Sequence, residues 1–307
     1  MPKSGYIAII GRPNVGKSTL LCRVLGSEIS IVTPKAQTTR ERVLGILSDP
    51  ARGQMVFIDT PGIHNAKHGG FNEFMVGEAR RSVEEDRPSC VWYLADFEFC
   101  LKKGISFEDP VLDILKAAGC PVIIIVNKAD KSRDPDEPAS LAGRIDLQAR
   151  DKGVSVAEVL SISAINGKGV GHLLELSWKH MPEGVPFYPD MDQLSDRPMR
   201  YFAAERIRQQ LFLHLGEELP YCCAVRIDKF EENRVPVRIE ATIFVERESQ
   251  KGMVIGKGGA KLKAIGTAAR KSFESFADQK IFLGLDVQTL KNWTRDKEQL
   301  RKLGYAV

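Results

Sequence analysis

The sequence lacks the features that mark secreted, zinc-binding and membrane-spanning proteins. Its six cysteines include no C-x-x-C pair, which argues against both a zinc site and a disulfide framework. No apolar run approaches the roughly 20 residues of a membrane-spanning helix, and the longest, around residues 122–126, suits a buried strand. A first apolar strand begins by Tyr6, so we expect no signal or transit peptide before it. These absences favour a globular protein with free thiols in a reducing cytoplasm.

Charge is nearly balanced over the whole chain but is unevenly distributed along it. The net charge is +4 over 307 residues, a length that predicts about two domains. Residues 197–307 contain 21 Lys and Arg against 14 Asp and Glu, a balance of +7, which leaves −3 for residues 1–196. This asymmetry predicts a polyanionic partner for the C-terminal part only.

The strongest motif is G-x-x-x-x-G-K-S at residues 11–18, the pattern of a phosphate-binding loop. An apolar strand pattern precedes it and a helical apolar pattern follows it, as the motif requires. Its backbone N–H groups would surround phosphate oxygens, Lys17 would contact the β- and γ-phosphates, and Ser18 would bind Mg²⁺. A glycine turn with a coincidental Lys-Ser is the alternative, and the motifs that follow argue against it. The predicted nucleotide-binding residues here are Gly11, Arg12, Pro13, Asn14, Val15, Gly16, Lys17, Ser18 and Thr19.

A D-x-x-G motif begins at Asp59, directly after the apolar residues 55–58. A carboxylate at the end of a strand lies where α/β sheets hold ligands, so we expect Asp59 to bind Mg²⁺ and the Gly62 N–H to face the γ-phosphate. The predicted nucleotide contacts of this motif are Asp59, Thr60, Pro61, Gly62 and Ile63. Residues 63–70 would form a second switch.

A threonine-containing loop lies between the phosphate loop and the D-x-x-G motif. Its residues are Gln37, Thr38, Thr39 and Arg40. A threonine at this point can close over the γ-phosphate and complete the Mg²⁺ shell, which would make this loop the first switch, with Thr39 as a metal ligand. The alternative is an ordinary polar loop.

An N-K-x-D motif at Asn127, Lys128, Ala129 and Asp130 follows the next buried strand and predicts the base. A carboxylate at Asp130 can accept from the N1–H and the exocyclic amine of guanine, whereas adenine presents no such donor pair. Ser163, Ala164 and Ile165 follow the last strand, and their N–H groups would meet the guanine O6. The sequence therefore predicts a site for GTP and GDP.

The second domain carries Gly256-Lys257-Gly258-Gly259, which fits the G-x-x-G loop of a KH domain. Seven basic residues and one acidic residue lie between Arg247 and Lys271, and the order helix, strand, strand, G-x-x-G helix, strand matches the type II KH topology. A glycine turn with a solvated basic face is the alternative. The predicted RNA-binding residues are Arg247, Lys251, Ile255, Gly256, Lys257, Gly258, Gly259, Lys261 and Lys263.

Together these patterns predict an α/β, doubly wound P-loop domain followed by an α+β type II KH domain. The first domain would have a six-stranded, mostly parallel sheet and span residues 1–181. Four prolines and several acidic residues mark a linker at residues 182–198, and the KH domain with a C-terminal helix would span residues 199–307.

The chain resembles the Era family of bacterial GTPases from about residue 6 to residue 305. The motifs G-R-P-N-V-G-K-S-T, Q-T-T-R, D-T-P-G and N-K-x-D carry the resemblance, with further similar runs at residues 218–221 and 245–251. One departure is the aromatic run at residues 92–99, where the family has a valine-rich fourth strand. The resemblance implies a monomeric factor in small ribosomal subunit assembly that binds the 3′ end of 16S rRNA. It also implies a cytoplasmic location with peripheral association with the inner membrane.

The resemblance extends to turnover. Many GTPases orient the attacking water with a glutamine directly after the D-x-x-G motif, but Ile63 stands there and can neither donate nor accept. The water is then placed either by backbone groups and the cation shell or by a group that a partner supplies. Asn14 resembles the potassium ligand of cation-activated GTPases, which implies hydrolysis stimulated by K⁺; the alternative is that Arg12 and Asn14 are ordinary polar residues of the loop. The residues expected to act in hydrolysis are Lys17, Asn14, Thr39 and Gly62.

Two other functions stay open at this point. A Der-type assembly GTPase would carry two phosphate loops, but only one occurs here. A signalling GTPase whose basic domain binds lipid or protein is disfavoured, though not excluded, by the intact G-x-x-G loop.

Overall fold

The computed structural model describes residues 1–35, 38–63, 71–104, 109–216, 218–303 and 305. They form two units, the first made of residues 1–30 and 39–196 and the second of residues 31–38 and 197–307. The short segment 31–38 thus belongs to the second unit, although it lies far from that unit in the sequence.

A six-stranded sheet forms the centre of the first unit. Its strands are β1 (Lys3–Gly11), β2 (Val43–Asp49), β3 (Gly53–Asp59), β4 (Cys90–Asp96), β5 (Val122–Asn127) and β6 (Val156–Ser161). The spatial order is β2-β3-β1-β4-β5-β6, and only β2 runs antiparallel to its neighbour. This confirms the predicted six-stranded, mostly parallel, doubly wound sheet. The chain reverses order beside β1, which brings the loops after β1 and β4 to the edge where such folds bind ligands.

Six helices of the described residues accompany this sheet. They are α1 (Lys17–Leu25), α2 (Phe71–Glu84), α3 (Phe97–Lys103), α4 (Asp109–Ala117), α5 (Glu137–Asp151) and α6 (Val170–His180). Every residue of β3 and β5 is buried, as expected of parallel strands covered on both faces.

Two of these helices differ from the sequence-based expectation. No helix was predicted within the aromatic run at residues 92–99, but β4 ends at Asp96, whose side chain accepts from the Phe99 N–H at 3.0 Å and caps α3. The alternating charge and prolines of residues 131–138 predict a solvated loop, but α5 begins within this stretch, at Glu137. Its buried Leu141 and Ile145, four residues apart, pack into the core.

Residues 182–196 remain with the first unit and cover the outer edge of its sheet. The Ile46 N–H donates to the Leu194 carbonyl at 2.9 Å, and the Ser195 hydroxyl donates to the Leu44 carbonyl at 2.6 Å. Gln54 exchanges two hydrogen bonds with the backbone of Tyr188, at 3.0 and 2.9 Å. The segment predicted as a linker is therefore attached to β2 and β3 through Tyr188, Leu194 and Ser195.

The second unit has a three-stranded sheet with helices packed on it. Its elements are α7 (Met199–His214), β7 (Ala224–Glu231), β8 (Val237–Val245), α8 (Glu248–Ile255), α9 (Ala260–Ala277), β9 (Ile281–Thr289) and α10 (Lys297–Lys302). The order is β7-β8-β9, with β7 antiparallel and β9 parallel to β8. This confirms the predicted type II KH topology. The sequence-based order omitted α8, which separates β8 from the G-x-x-G loop. Among all the residues described, no helix is both long and apolar enough to cross a membrane.

Candidate nucleotide site and nucleic-acid interface

The phosphate loop leaves β1 and enters α1 through two left-handed backbone positions. Asn14 has φ 60° and Gly16 has φ 101°. A Cβ on Gly16 would lie 2.3 Å from the Asn127 Nδ2 atom, so only glycine fits at this point. Asn14 is exposed, Val15 is buried, and Thr19 is half-buried in the first turn of α1. The loop thus presents backbone N–H groups above the N-terminus of α1, the arrangement that binds phosphate.

Lys17 is folded back over the loop that carries it. Its ammonium group donates to the carbonyls of Gly11 at 3.1 Å and Arg12 at 3.0 Å, and the residue is 6% exposed. Burial lowers the pKa of Lys17 to about 8, and the Asp59 carboxylate opposes this effect. Phosphate oxygens at the loop would give this buried cation the anionic partner that burial makes favourable.

Ser18, Asp59 and Thr39 meet in one cluster of oxygens. The Ser18 hydroxyl lies 2.7 Å from Asp59 Oδ2 and 2.9 Å from Thr39 Oγ1, and Ser30 also donates to Asp59 Oδ2 at 3.1 Å. Among the described residues, Asp59 Oδ1 is one of few buried side-chain oxygens without a hydrogen-bond partner. Burial raises the pKa of Asp59, and Lys17 and the two serines oppose the rise.

This cluster fits a hard divalent cation. A buried carboxylate oxygen without a partner, beside two hydroxyls, is the oxygen-only donor set that Mg²⁺ prefers. The sequence reasoning identified Ser18, Asp59 and Thr39 but missed Ser30, which no motif marks. Gln37 of the expected first switch and residues 64–70 of the expected second switch lie outside the described residues.

The D-x-x-G segment packs directly against the phosphate loop. A Cβ on Gly62 would lie 2.5 Å from both N and Cα of Pro13, so the two loops touch only because this residue is glycine. The Ile63 N–H donates to the Gly11 carbonyl at 3.1 Å, and the Ile63 side chain is fully buried in the core. Thr60 and Pro61 are buried as well, and the Thr60 hydroxyl donates to a β1 carbonyl at 2.6 Å. Ile63 therefore packs rather than facing an attacking water.

Asn127 joins three loops of the site. Its Nδ2 donates to the Val15 carbonyl at 2.8 Å, its Oδ1 accepts from the Ala164 N–H at 2.9 Å, and the residue is 2% exposed. The phosphate loop, the loop after β5 and the loop after β6 are held together by this one amide.

The remaining residues of the predicted base site lie around this anchor. Asp130 is exposed, and its Oδ1 accepts from the Ser163 hydroxyl at 2.5 Å. The N–H groups of Ser163 and Ala164, both expected to face the guanine O6, are donated within the chain, to the Lys168 carbonyl and to Asn127. Ile165 is exposed, and the Ala129 N–H donates to the carbonyl of Ile162, the residue after β6, at 3.0 Å. Asp130 is thus exposed to solvent, and the Ser163 hydroxyl fixes the orientation of its carboxylate.

Two residues beside the site were missed by the sequence reasoning. Asp96 Oδ2 binds the Lys128 ammonium at 2.5 Å, and the Arg12 guanidinium lies 4.2 Å from the centroid of the Phe99 ring. Asp96 pairs with Asn127 in the parallel register of β4 and β5. The position of Asp96 at the end of β4 was therefore the sequence feature that could have identified it as a site residue. These contacts brace the phosphate loop and the base loop against the start of α3.

The G-x-x-G loop of the second unit connects two helices, α8 and α9. Gly256, Gly258 and Gly259 have φ values of 74°, 58° and 78°. A Cβ on Gly256 would lie 2.7 Å from the Lys261 Cβ, whereas a Cβ on Gly258 or Gly259 would meet nothing within 4 Å. Gly256 thus allows the turn to pack closely against Lys261, whereas Gly258 and Gly259 leave the outer surface of the loop open to a nucleic-acid backbone.

The predicted RNA-binding side chains surround this loop with positive charge. Arg247, Lys257, Lys261 and Lys263 are exposed, and Lys251 and Ile255 are half-buried. A groove of about 350 Å³ runs beside the loop between α9 and β9. Gly259 and Lys263 of its lining were predicted to bind RNA, whereas Leu262, Gly266, Thr267, Leu283 and Leu285 were not. Cationic groups beside an apolar groove can hold a backbone and the faces of its bases together.

Two family models match the chain, one for each unit. Residues 6–128 match the model described as a 50S ribosome-binding GTPase, and residues 218–294 match the KH domain. The chain is 44% identical over 306 residues to the GTPase Era of Geobacter metallireducens, covering 99% of this chain and 98% of that protein. It is 42% identical to the GTPase Era of Syntrophus aciditrophicus, covering 99% and 96%.

Two solved structures are similar over almost the whole chain. One is Era in complex with MgGDPNP and nucleotides 1506–1542 of 16S ribosomal RNA, with a TM-score of 0.90, 34% identity and complete coverage of both chains. The other is a single-residue variant of Aquifex aeolicus Era bound to GDP and aluminium fluoride, with a TM-score of 0.91, 34% identity, and 99% and 100% coverage.

Proposed function

The chain belongs to the GTPase Era family, and on that basis we propose that it is an rRNA-binding GTPase of small ribosomal subunit assembly that binds the 3′ end of 16S rRNA. The observation that carries the proposal is the pairing, in one chain, of two sites. One is the Ser18–Asp59 cluster beside Lys17, and the other is an open G-x-x-G loop with a basic surround.

Nucleotide binding follows from the residues of the first site. The N–H groups of the phosphate loop and the Lys17 ammonium would bind the phosphates, while Asp130 accepts from the guanine edge and Lys128 lies along the base. Ser18, Thr39 and Asp59 would hold Mg²⁺, which when bound neutralises charge on the transferring phosphoryl group. Asn127 keeps the phosphate and base loops at a fixed separation, so one nucleotide can reach both.

Hydrolysis needs a group that places the attacking water. The burial of Ile63 supports assigning that task to backbone groups, with the Gly62 N–H facing the γ-phosphate. Asn14 is exposed on the phosphate loop with its backbone turned to φ 60°, which supports a potassium site beside the phosphates. A cation there would supply the positive charge that an arginine finger supplies in other GTPases.

RNA binding is assigned to the second unit. Lys257, Lys261 and Lys263 would contact phosphates around the glycines, and bases would lie in the groove between α9 and β9. We propose that the protein works in the cytoplasm as a monomer. Association with the inner membrane would then be peripheral and would use the same basic surface.

The test compares RNA with membrane as ligands of the basic surface. The full chain is titrated with an RNA of the 16S 3′ end and, separately, with vesicles containing anionic lipid, at one fixed salt concentration. We expect RNA binding that is lost when Lys257 and Gly258 are both replaced by Asp, since the new charges repel the backbone. Lys229→Asp, which reverses the charge of one lysine on β7, is the control and should weaken RNA binding only slightly.

GDP titration of each variant checks that the nucleotide site is intact. Vesicle binding without RNA binding would overturn the RNA assignment and support the membrane-associated signalling GTPase. The single phosphate loop already argues against a Der-type GTPase.

A further inference from the structure

Lys128, in the loop after β5, has a backbone conformation that is held on both sides. Its φ is 67°, in the left-handed region that residues other than glycine rarely adopt. Its carbonyl accepts from the Lys131 N–H at 3.0 Å, and the N–H of the next residue, Ala129, donates to the Ile162 carbonyl at 3.0 Å. Backbone of this kind persists only where its surroundings hold it, and it is concentrated at functional sites. The direction in which the Lys128 side chain leaves the backbone is therefore set by the loop.

The far end of the same side chain is held by Asp96. The Lys128 ammonium donates to Asp96 Oδ2 at 2.5 Å, and the two side chains are 31% and 16% exposed. The other oxygen of this carboxylate, Oδ1, accepts from the Phe99 N–H at 3.0 Å and caps α3. A carboxylate that caps a helix with one oxygen cannot rotate freely, so the start of α3 sets the position of the oxygen that holds the ammonium.

With both ends held, the four methylene groups of Lys128 follow one line between its Cα atom and Asp96. A lysine side chain that is not held samples many rotamers, and a ligand that must order it binds more weakly for that reason. In the proposed function this stem lies along the guanine base. Because Asp96 belongs to the end of β4 and not to the loop or the nucleotide, its contact can order the stem before a nucleotide binds.

We propose that Asp96 is a positioning residue for guanine-nucleotide binding, which holds the Lys128 side chain in the line along which the base packs. The proposal rests on the role assigned to Lys128 in the proposed function. It adds to the base site a residue that lies outside the N-K-x-D motif and acts without touching the nucleotide.

The experiment measures the Kd for GDP, and kcat and KM for GTP, with the full chain. Asp96→Asn keeps a cap on α3, because Asn caps helices as well as Asp does, but it removes the charge that holds the ammonium. We expect the Kd for GDP and the KM for GTP each to rise about three- to tenfold, because binding must now order the Lys128 side chain. The value of kcat should stay within about twofold, since the interaction lost is at the base and not at the transferring phosphate.

Glu98→Gln is the matched control for this change. Glu98 lies on the same helix, and its carboxylate also faces a lysine, Lys102, at 3.9 Å. The control therefore replaces a paired carboxylate by an amide two residues from Asp96, and it should leave the Kd, kcat and KM unchanged.

A double-variant cycle tests whether Asp96 acts through Lys128. Lys128→Met keeps an unbranched apolar stem but has no ammonium for Asp96 to hold, so it should raise the Kd for GDP by a similar factor. Adding Asp96→Asn to Lys128→Met should raise the Kd no further, since the two changes remove one effect. Asp96→Ser, which also caps helices and carries no charge, should behave as Asp96→Asn does and keeps the test available should Asp96→Asn not fold.

The outcomes that overturn the proposal differ in what else they overturn. Increases of the Kd that multiply in the double variant, or a wild-type Kd for GDP in folded Asp96→Asn, would overturn the positioning role alone. A fall in kcat as large as the rise in KM would also overturn it, because the change would then act at the phosphates. A wild-type Kd in Lys128→Ala, which removes the stem and the ammonium together, would overturn both this proposal and the role assigned to Lys128.

Discussion

Replacing Asn127 by Ala should damage both the stability and the nucleotide affinity of the first unit. The change removes the two hydrogen bonds that Asn127 makes, to the Val15 carbonyl and from the Ala164 N–H, in a position that is 2% exposed. An unsatisfied buried polar group costs ~1–3 kcal/mol, so leaving both backbone groups unpaired should cost about 2–6 kcal/mol.

Part of that cost should be measured as lost affinity. In the proposed site the phosphate loop and the base loop bind opposite ends of one nucleotide, so a looser connection between them makes it harder for both to bind it at once. We expect the Kd for GDP to rise about 10- to 100-fold, which corresponds to ~1.4–2.8 kcal/mol. Asn127→Asp should keep the bond from Ala164 but place a carboxylate against the Val15 carbonyl, and should lose at least as much affinity.

Two measurements and one control decide the matter. Titration with GDP gives the affinity, and hydrogen exchange followed peptide by peptide reports the stability of the first unit separately from the second. Asn166→Ala is the control, since Asn166 is exposed and its side chain accepts from the Lys168 N–H at 2.9 Å; it should change stability by less than about 0.5 kcal/mol. Wild-type GDP affinity in Asn127→Ala, with no more loss of protection than in Asn166→Ala, would refute the idea that this amide joins the loops.

Three further predictions concern the base, the cation and the RNA loop. Asp130→Asn should bind xanthosine triphosphate in preference to GTP, because xanthine has a carbonyl where guanine has its amine; competitive titration measures this, and an unchanged preference would contradict the assignment. Hydrolysis should be faster in KCl than in NaCl at equal ionic strength, and Asn14→Ala should remove the difference; equal rates in the two salts would contradict a potassium site. Gly256→Ala should weaken both RNA binding and thermal stability, because the new Cβ would lie 2.7 Å from the Lys261 Cβ. Gly258→Ala, whose Cβ would meet nothing within 4 Å, should lower the stability by only about 1–2 kcal/mol because of the positive φ. Equal effects of the two changes would argue against the packing role of Gly256.

The sheet and the nucleotide motifs could be predicted from the sequence because each has a local signal. Buried parallel strands appear as continuous apolar runs, and the glycines of the phosphate loop follow from the space that backbone N–H groups need around a phosphate. The type II topology of the second unit was predictable for the same reason, since β7 and β8 alternate and the G-x-x-G loop marks the helix that follows.

The elements that were missed show where such signals conflict. Phe97 and Phe99 favour a strand by propensity, but the Asp96 cap begins a helix there, so a tertiary and capping effect overrides propensity. For α5, the charged and proline-containing start masked the helical spacing of Leu141 and Ile145, although Pro138 in the first turn is a common way to begin a helix.

The anchoring of residues 31–38 had no signal in the sequence. Its hydrogen bonds join backbone carbonyls to side chains more than 150 positions away, and a carbonyl carries no residue identity. The same holds for Ser30, whose contact with Asp59 depends on how the chain folds between α1 and β2.

The covering of β2 by residues 182–196 has a practical consequence for anyone who wishes to produce the first unit alone. An exposed edge strand presents unpaired N–H and C=O groups and is a template for aggregation. A fragment that stops at residue 181, where the motifs suggest the domain ends, would uncover the Leu44 carbonyl and the Ile46 N–H, which Ser195 and Leu194 now satisfy. A fragment extended to residue 196 keeps that edge closed and should remain dispersed at concentrations where the shorter one precipitates.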